Sequence, residues 1–259
     1  MKNKVILISI DGMRPDGLLA SGNPYVKELQ QIGSYTFDAR TVFPSVTLPC
    51  HMSMFHSVPP ERHGILTNTY VPPVRPINGL FEQLHNAGKS CAMYYGWEPL
   101  REISRPKSLI AANYLWAYSV ENSDRALTEA ALSYVEAAHP DFVFLYMVET
   151  DEKGGHDNGW MSDEYLRRIR LAIENVQTVI ERVGEEYTVI VTADHGGHER
   201  THGSDLPEDM TIPMFFVGKQ FTPGKELKNV SLLDLAPTVA DIMDTPAAPE
   251  WEGHSLLEA

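Results

Sequence analysis

Residues Tyr187–His195, YTVIVTADH, decide the fold. The run is rich in β-branched side chains and nearly continuous in hydrophobicity. It reads as a strand buried on both faces, the kind found in a mostly parallel sheet. It stops on a carboxylate and an imidazole, Asp194 and His195, and the polar stretch continues through His198 and His202 to Asp205 with glycines at 196, 197 and 203. In open α/β sheets, ligands bind beyond the carboxyl ends of strands. A strand ending this way therefore raises the question of a site at that end.

Four further runs share the same character: Lys4–Ile10 (KVILISI), Cys91–Tyr95 (CAMYY), Asp141–Glu149 (DFVFLYMVE) and Ile212–Gly218 (IPMFFVG). Between them lie helical patterns. Ser123–Ala138 opens on Ser-Asp and is stopped by His139-Pro140. Ser162–Val183 carries an apolar stripe at Leu166, Ile169, Ile173, Val176 and Ile180, with Gly184 just beyond. Ser231–Met243 predicts another helix, with a bend at Pro237. This alternation implies an α/β three-layer sandwich: a mostly parallel central sheet with helices on both faces. No linker divides residues 1–259, so one catalytic domain is expected, with a minimal cap drawn from the Pro- and aromatic-rich stretches 69–76 and 96–116.

The 259 residues suffice for a sizeable core. A formal net charge of −14 repels phosphate polymers and anionic lipid, which argues against nucleic-acid or membrane partners and leaves a small phosphorylated substrate open. Two cysteines, Cys50 and Cys91, are no disulfide framework and imply a reduced protein. The apolar part of MKNKVILISIDG is too short for a secretory leader, and no run approaches a membrane span, so a cytoplasmic location is expected.

Asp11 follows the first strand, Asp151 the strand at 141–149, and Asp194-His195 the strand at 187–192. An Asp after a single strand is ordinarily a turn or a cap. Three carboxylates delivered to one end, with histidines beside them, point to a metal centre. Six candidate ligands stand out: Asp11, Asp151, His156, Asp194, His195 and His202. One closed zinc site needs four ligands, so six imply two divalent ions, zinc or, at the carboxylate-rich extreme, manganese. Two ions about 3.5–4 Å apart suit displacement at phosphorus. The segment TVFPSVTLPCHMSMF supplies candidate nucleophiles in Ser45, Thr47, Cys50 and Ser53, at the entry to a helix, where helix amides favour an anion.

Taken together, Asp11-Gly12, FPSVTLPCH, PPERHGILTN, TDEKGGHDNGW, TADHGGHERTHG and LPEDMTIPMFFVG resemble the alkaline phosphatase superfamily, most closely its nucleotide pyrophosphatase/phosphodiesterase branch. The resemblance runs from Lys4 to about Asp241. It implies an alkaline-phosphatase-like fold and Thr47 as nucleophile within Pro44–His51. It implies one ion on Asp11, Thr47, Asp194 and His195, and a second on Asp151, His156 and His202. Asn68 would donate to a nonbridging phosphate oxygen.

Two departures from the family pattern stand out. Asp151 and His156 are five apart, where four is usual, which leaves Glu152 and Asp157 as rivals, and His198 competes with His202. CHMSM lacks the sulfatase pattern Cys-x-Pro-x-Arg, so Cys50 reads as a buried small side chain. The expected activity is cleavage of a phosphodiester or pyrophosphate bond through phosphothreonine. The alternatives are a phosphomonoesterase or phosphomutase on the same scaffold, and a catalytically idle metal- or phosphate-binding protein.

Overall fold

The computed structural model describes residues 3–257. Its strands are β1 (Lys4–Ile10), β2 (Ser34–Arg40), β3 (Cys91–Tyr95), β4 (Ala111–Tyr114), β5 (Phe142–Met147), β6 (Tyr187–Thr192) and β7 (Thr211–Val217). They form one sheet in the order β2-β7-β6-β1-β5-β3-β4. From β6 to β4 all neighbours are parallel, whereas β7 runs antiparallel to both β6 and β2. The fold is a mixed, mostly parallel α/β sandwich of the alkaline-phosphatase type, as the sequence implies. β3, β5 and β6 bury every residue and β1 all but Lys4, which explains their unbroken hydrophobicity.

The helices are α1 (Pro15–Ala20), α2 (Tyr25–Ile32), α3 (Thr47–His56), α4 (Pro60–His63), α5 (Leu80–Asn86), α6 (Ser123–Ala138), α7 (Asp163–Val183), α8 (Pro207–Met210) and α9 (Leu235–Ile242). α1, α2 and α6 pack with α7 on one side of the sheet, and α3, α5 and α9 pack together on the other. α6 has the bounds that its pattern predicts. α7 starts after Ser162, whose Oγ accepts from Tyr165 N as an N-cap. The break expected at Pro237 falls earlier. A 3₁₀ turn, Leu232–Asp234, leads into α9, where Pro237 is the third residue and needs no intrahelical acceptor for an N–H.

Two strands escaped the sequence reading. β2 exposes Asp38 and Arg40 on its outward side and has no continuous apolar run. β4 lies within 96–116, the stretch expected to be loop or cap; there it extends the sheet as a largely exposed edge strand after a 3₁₀ turn at Glu98–Ile103. No helix among the described residues is long and apolar enough to cross a membrane.

Register positions the site. Ile10 pairs with Met147 and Ser9 with Thr192, so β1, β5 and β6 end level. Carried two residues further, the β1/β6 register sets Asp11 beside Asp194.

Candidate metal centre

Asp11, Asp151, Asp194 and His195 are all buried at this end of the sheet. His195 Nε2 lies 3.3 Å from Asp11 Oδ1, 3.4 Å from Asp194 Oδ2 and 3.1 Å from Thr47 Oγ1. Thr47 is the first residue of α3, so its hydroxyl sits at the positive end of the helix dipole. Asn68 Oδ1 accepts from Leu48 N at 3.0 Å. A backbone N–H can only donate, so this bond fixes the amide orientation, with Oδ1 on the residue after Thr47 and Nδ2 as the donor end. Asn68 is exposed.

The five-residue gap between Asp151 and His156 is spanned by a π-helical turn, Thr150–His156, and not by a loop. An i→i+5 turn returns residues five apart to one face, as an α-turn does for residues four apart. His156 Nε2 accordingly lies 3.3 Å from Asp151 Oδ2, and His202 Nε2 3.9 Å from Asp151 Oδ1. The glycines in this turn serve packing: a Cβ on Gly155 would stand 2.6 Å from the Trp160 ring. Glu152 and Asp157 turn away from the cluster, their carboxylates facing the Tyr118 hydroxyl at 3.5 and 3.0 Å. His198 is also drawn elsewhere, its Nδ1 2.7 Å from Asp209 Oδ1.

Three imidazoles share one orientation. Nδ1 of His156, His195 and His202 lies 3.0, 2.8 and 2.9 Å from the carbonyl oxygens of Arg200, Gly196 and Ser45. A carbonyl can only accept, so Nδ1 carries a proton in each ring and Nε2 is the atom turned toward the carboxylates; in the metal-free chain His156 Nε2–H donates to Asp151 Oδ2. Histidines that ligate metals are ordinarily tied down in this way.

The electrostatics require positive charge. Asp11 Oδ1, Asp151 Oδ1 and Asp194 Oδ2 are buried without a hydrogen-bond partner among the described residues, an arrangement costly unless cations occupy the space between them. Burial, then the neighbouring carboxylates, pushes the Asp11 carboxyl well above the usual range. Burial also raises Asp194. Burial works against Asp151 as well, but its hydrogen bond to His156 and the other two imidazoles outweigh it and hold this carboxyl low. His156, bonded to Asp151, is pushed up to about 9, whereas burial takes His202 down to about 4. Without metal, protons therefore supply part of the missing charge. Donor atoms of Asp11, Asp194 and His195 lie within 4.8 Å of one another, and so do those of Asp151, His195 and His202. His195 is common to both groups, so they adjoin, while His156 stands on the other oxygen of Asp151.

Several contributors carried no signal in the sequence. Tyr146, inside an apolar strand, donates to Asp11 Oδ2. The Gly12 carbonyl accepts from Trp160 Nε1 and the Tyr165 hydroxyl. Gly12 has φ +64, and a Cβ there would stand 2.8 Å from Asp151 Oδ1. Gly12→Ala is therefore expected to combine left-handed backbone strain with displacement of the Asp151 carboxylate. The expected result is a loss of about 1–3 kcal/mol in chemical denaturation and a drop in bound metal. An unchanged midpoint with unchanged metal content would refute the close approach.

The family model for type I phosphodiesterase / nucleotide pyrophosphatase matches residues 5–202. The chain belongs to this family. Among curated phosphodiesterase relatives, ectonucleotide pyrophosphatase/phosphodiesterase family member 1 of Rattus norvegicus is 26% identical over 217 residues, covering 74% of this chain and 24% of the relative. The venom phosphodiesterase CdcPDE of Crotalus durissus collilineatus is 26% identical over 226 residues, covering 76% and 26%. The chain thus spans about a quarter of the length of these type I phosphodiesterase relatives. Among solved structures, murine ectonucleotide pyrophosphatase/phosphodiesterase 5, in an inactive form in complex with AMP, superposes with a TM-score of 0.81 at 17% identity, covering 96% of both chains. A 2-O GAG sulfatase gives 0.79 at 15% identity, covering 99% of this chain and 73% of the other. Both likenesses bear on fold alone.

Proposed function

We propose that this chain is a two-metal phosphodiesterase or nucleotide pyrophosphatase that acts on a small, nucleotide-like phosphorylated substrate through phosphothreonine, and that residues 1–259 form one catalytic domain. The observation that carries this reading is the cluster of three unpartnered carboxylate oxygens with the Nε2 atoms of His195 and His202, His156 standing on Asp151, and the Thr47 hydroxyl 3.1 Å from His195 Nε2. This donor set fits two divalent cations: Asp11, Thr47, Asp194 and His195 would hold one, and Asp151, His156 and His202 the other. The oxygen and nitrogen donors suit zinc, with manganese as the alternative. Two bound cations would supply Lewis acidity, lowering the pKa of the Thr47 hydroxyl and neutralising charge on the phosphoryl oxygens.

The chain's own residues supply the rest. The Thr47 Oγ–phosphorus bond forms as the bond from phosphorus to the leaving oxygen breaks, and water later displaces Thr47 by the reverse path. Asn68 Nδ2 donates to a nonbridging oxygen, and the amino end of α3 favours the negative charge growing there. Buried and unpaired, Cys50 and Cys91 support a reducing, cytoplasmic setting.

A diester is favoured over a monoester because two cations that flank the cluster in sequence, Arg14 and Lys153, are engaged. Arg14 is held by Asp16 and the Gly197 carbonyl, and Lys153 by Glu149 and the carbonyls of Val120 and Glu121. The extra charge of a monoester would find neither free. Rates on an aryl phosphodiester and an aryl phosphomonoester test this; a large monoester preference would overturn it. Asn68→Ala should lower kcat/KM on the diester by about 10²–10³-fold, with metal content unchanged, since one donor to the transition-state oxygens is lost. Unaltered kcat/KM would remove Asn68 from this role.

A further inference from the structure

We infer that Tyr146 is a positioning residue for the first of the two ions: its hydroxyl holds Asp11 Oδ2 so that Oδ1 faces the cation. This rests on the two-ion reading above.

The placement follows from the sheet. Tyr146 is the parallel partner of Ser9, and Asp11 lies two residues beyond Ser9, on the same face of β1. The Tyr146 side chain thus reaches diagonally to the carboxylate beyond its own partner and donates to Oδ2, while Oδ1 has no hydrogen-bond partner among the described residues and points toward His195 Nε2 at 3.3 Å. Tyr146 is 0% exposed, so it meets Asp11 from beneath and takes no part in binding substrate.

Its ring is itself immobilised. The His51 ring packs edge-on to it, with centroids 5.0 Å apart and planes at 90°, and the Phe144 ring stacks at 6.4 Å. His51 is fixed in turn by Ser9 Oγ at Nε2 and by the Thr47 carbonyl at Nδ1. One rigid unit therefore joins the backbone of the nucleophile to the orientation of Asp11. Without the hydroxyl, Oδ2 becomes a second buried oxygen lacking a donor, and the carboxylate can rotate away from the ion. Asp151 receives no hydrogen bond from Tyr146, so the effect should be confined to one ion.

The test is zinc binding to the full chain by competition with a chelating dye, followed by cobalt(II) absorption after exchange. In Tyr146→Phe, one ion should bind about 10–100-fold more weakly, the range for loss of a group that orients a metal ligand. The other ion should be unaffected, and the cobalt spectrum should change for one ion only. In an Asp11→Ala background, Tyr146→Phe should add no further loss, because the two act through one carboxylate. Equal weakening of both ions would mark Tyr146 as merely structural and overturn the proposal, as would full additivity with Asp11→Ala or wild-type affinity for both. Failure of the wild-type chain to take up two ions would overturn this inference together with the reading beneath it. If only the variant result fails, that reading survives.

Discussion

Thr47→Ala is expected to reduce turnover of an aryl phosphodiester by 10³-fold or more while the chain still takes up metal. The hydroxyl lies 3.1 Å from His195 Nε2 at the start of α3, and the variant removes it and that one contact while leaving every carboxylate and imidazole side chain present. A residual rate over solution should survive, because Asn68 and the helix terminus would still meet charge on the phosphate. Thr47→Ser provides the control. It restores a hydroxyl at the same backbone position and should recover much of the activity, although without the methyl its χ1 is less restricted. Elemental analysis beside single-turnover kinetics separates the outcomes. Undiminished turnover in the alanine variant would exclude Thr47 as nucleophile, and loss of all metal would mean that the substitution acts through the site and not through the attacking group.

Which residues of the candidate site could be read from sequence follows from how each is delivered. Asp11, Asp194 and His195 lie within two or three residues of strand ends, where an apolar run stops on a charge, so strand position alone implicates them. Asp151 and His156 were harder. Their separation is resolved by the π-turn at Thr150–His156, a local geometry that no periodicity in TDEKGGH announces. The resemblance favours His202 over His198, because His202 precedes Gly203, but the physical reason needs the fold: Asp209, buried in α8, presents its carboxylate to His198. Tyr146 was silent for a different reason. A tyrosine within FVFLYM satisfies the strand pattern as well as phenylalanine does, and only the cross-strand register shows that its hydroxyl ends beside a carboxylate.

The same contrast holds for the scaffold. Strands covered on both faces leave an unbroken apolar run, and all five such runs proved to be strands. β2 and β4 are the two edges of the sheet. An edge strand answers to solvent on one side, so β2 mixes Asp38 and Arg40 with apolar residues, and β4 is four residues with little burial. The reversed direction of β7 also left no mark. TIPMFFV is buried at every residue but its two ends, like the parallel strands of the sheet, and polarity of pairing is set by the connection through 193–210, not by composition.

Removal of metal should cost the fold more as pH rises. In the metal-free chain the buried carboxyls of Asp11 and Asp194 titrate above their unfolded range, so the folded state binds protons more tightly and loses stability as pH climbs through those raised values. His156 acts in the same direction. Its folded pKa of about 9 lies above the unfolded value of 6.5, so its contribution is complete below 6.5 and is lost as pH approaches 9. A divalent cation reverses this, because the ligands bind it only after giving up those protons. At low pH protons compete; near pH 9 the carboxylates and imidazoles are free to ligate. With each ion at about a thousandfold excess over its Kd, binding adds about 4 kcal/mol, or on the order of 10 °C in Tm per ion. The Tm difference between zinc-loaded and chelator-treated protein should therefore widen steadily from pH 6.5 to 9, and zinc uptake at pH 7 should release protons measurable in weak buffer. A Tm that ignores chelator at pH 8.5 would mean that no cation neutralises the Asp11, Asp151 and Asp194 cluster, leaving three buried oxygens unexplained.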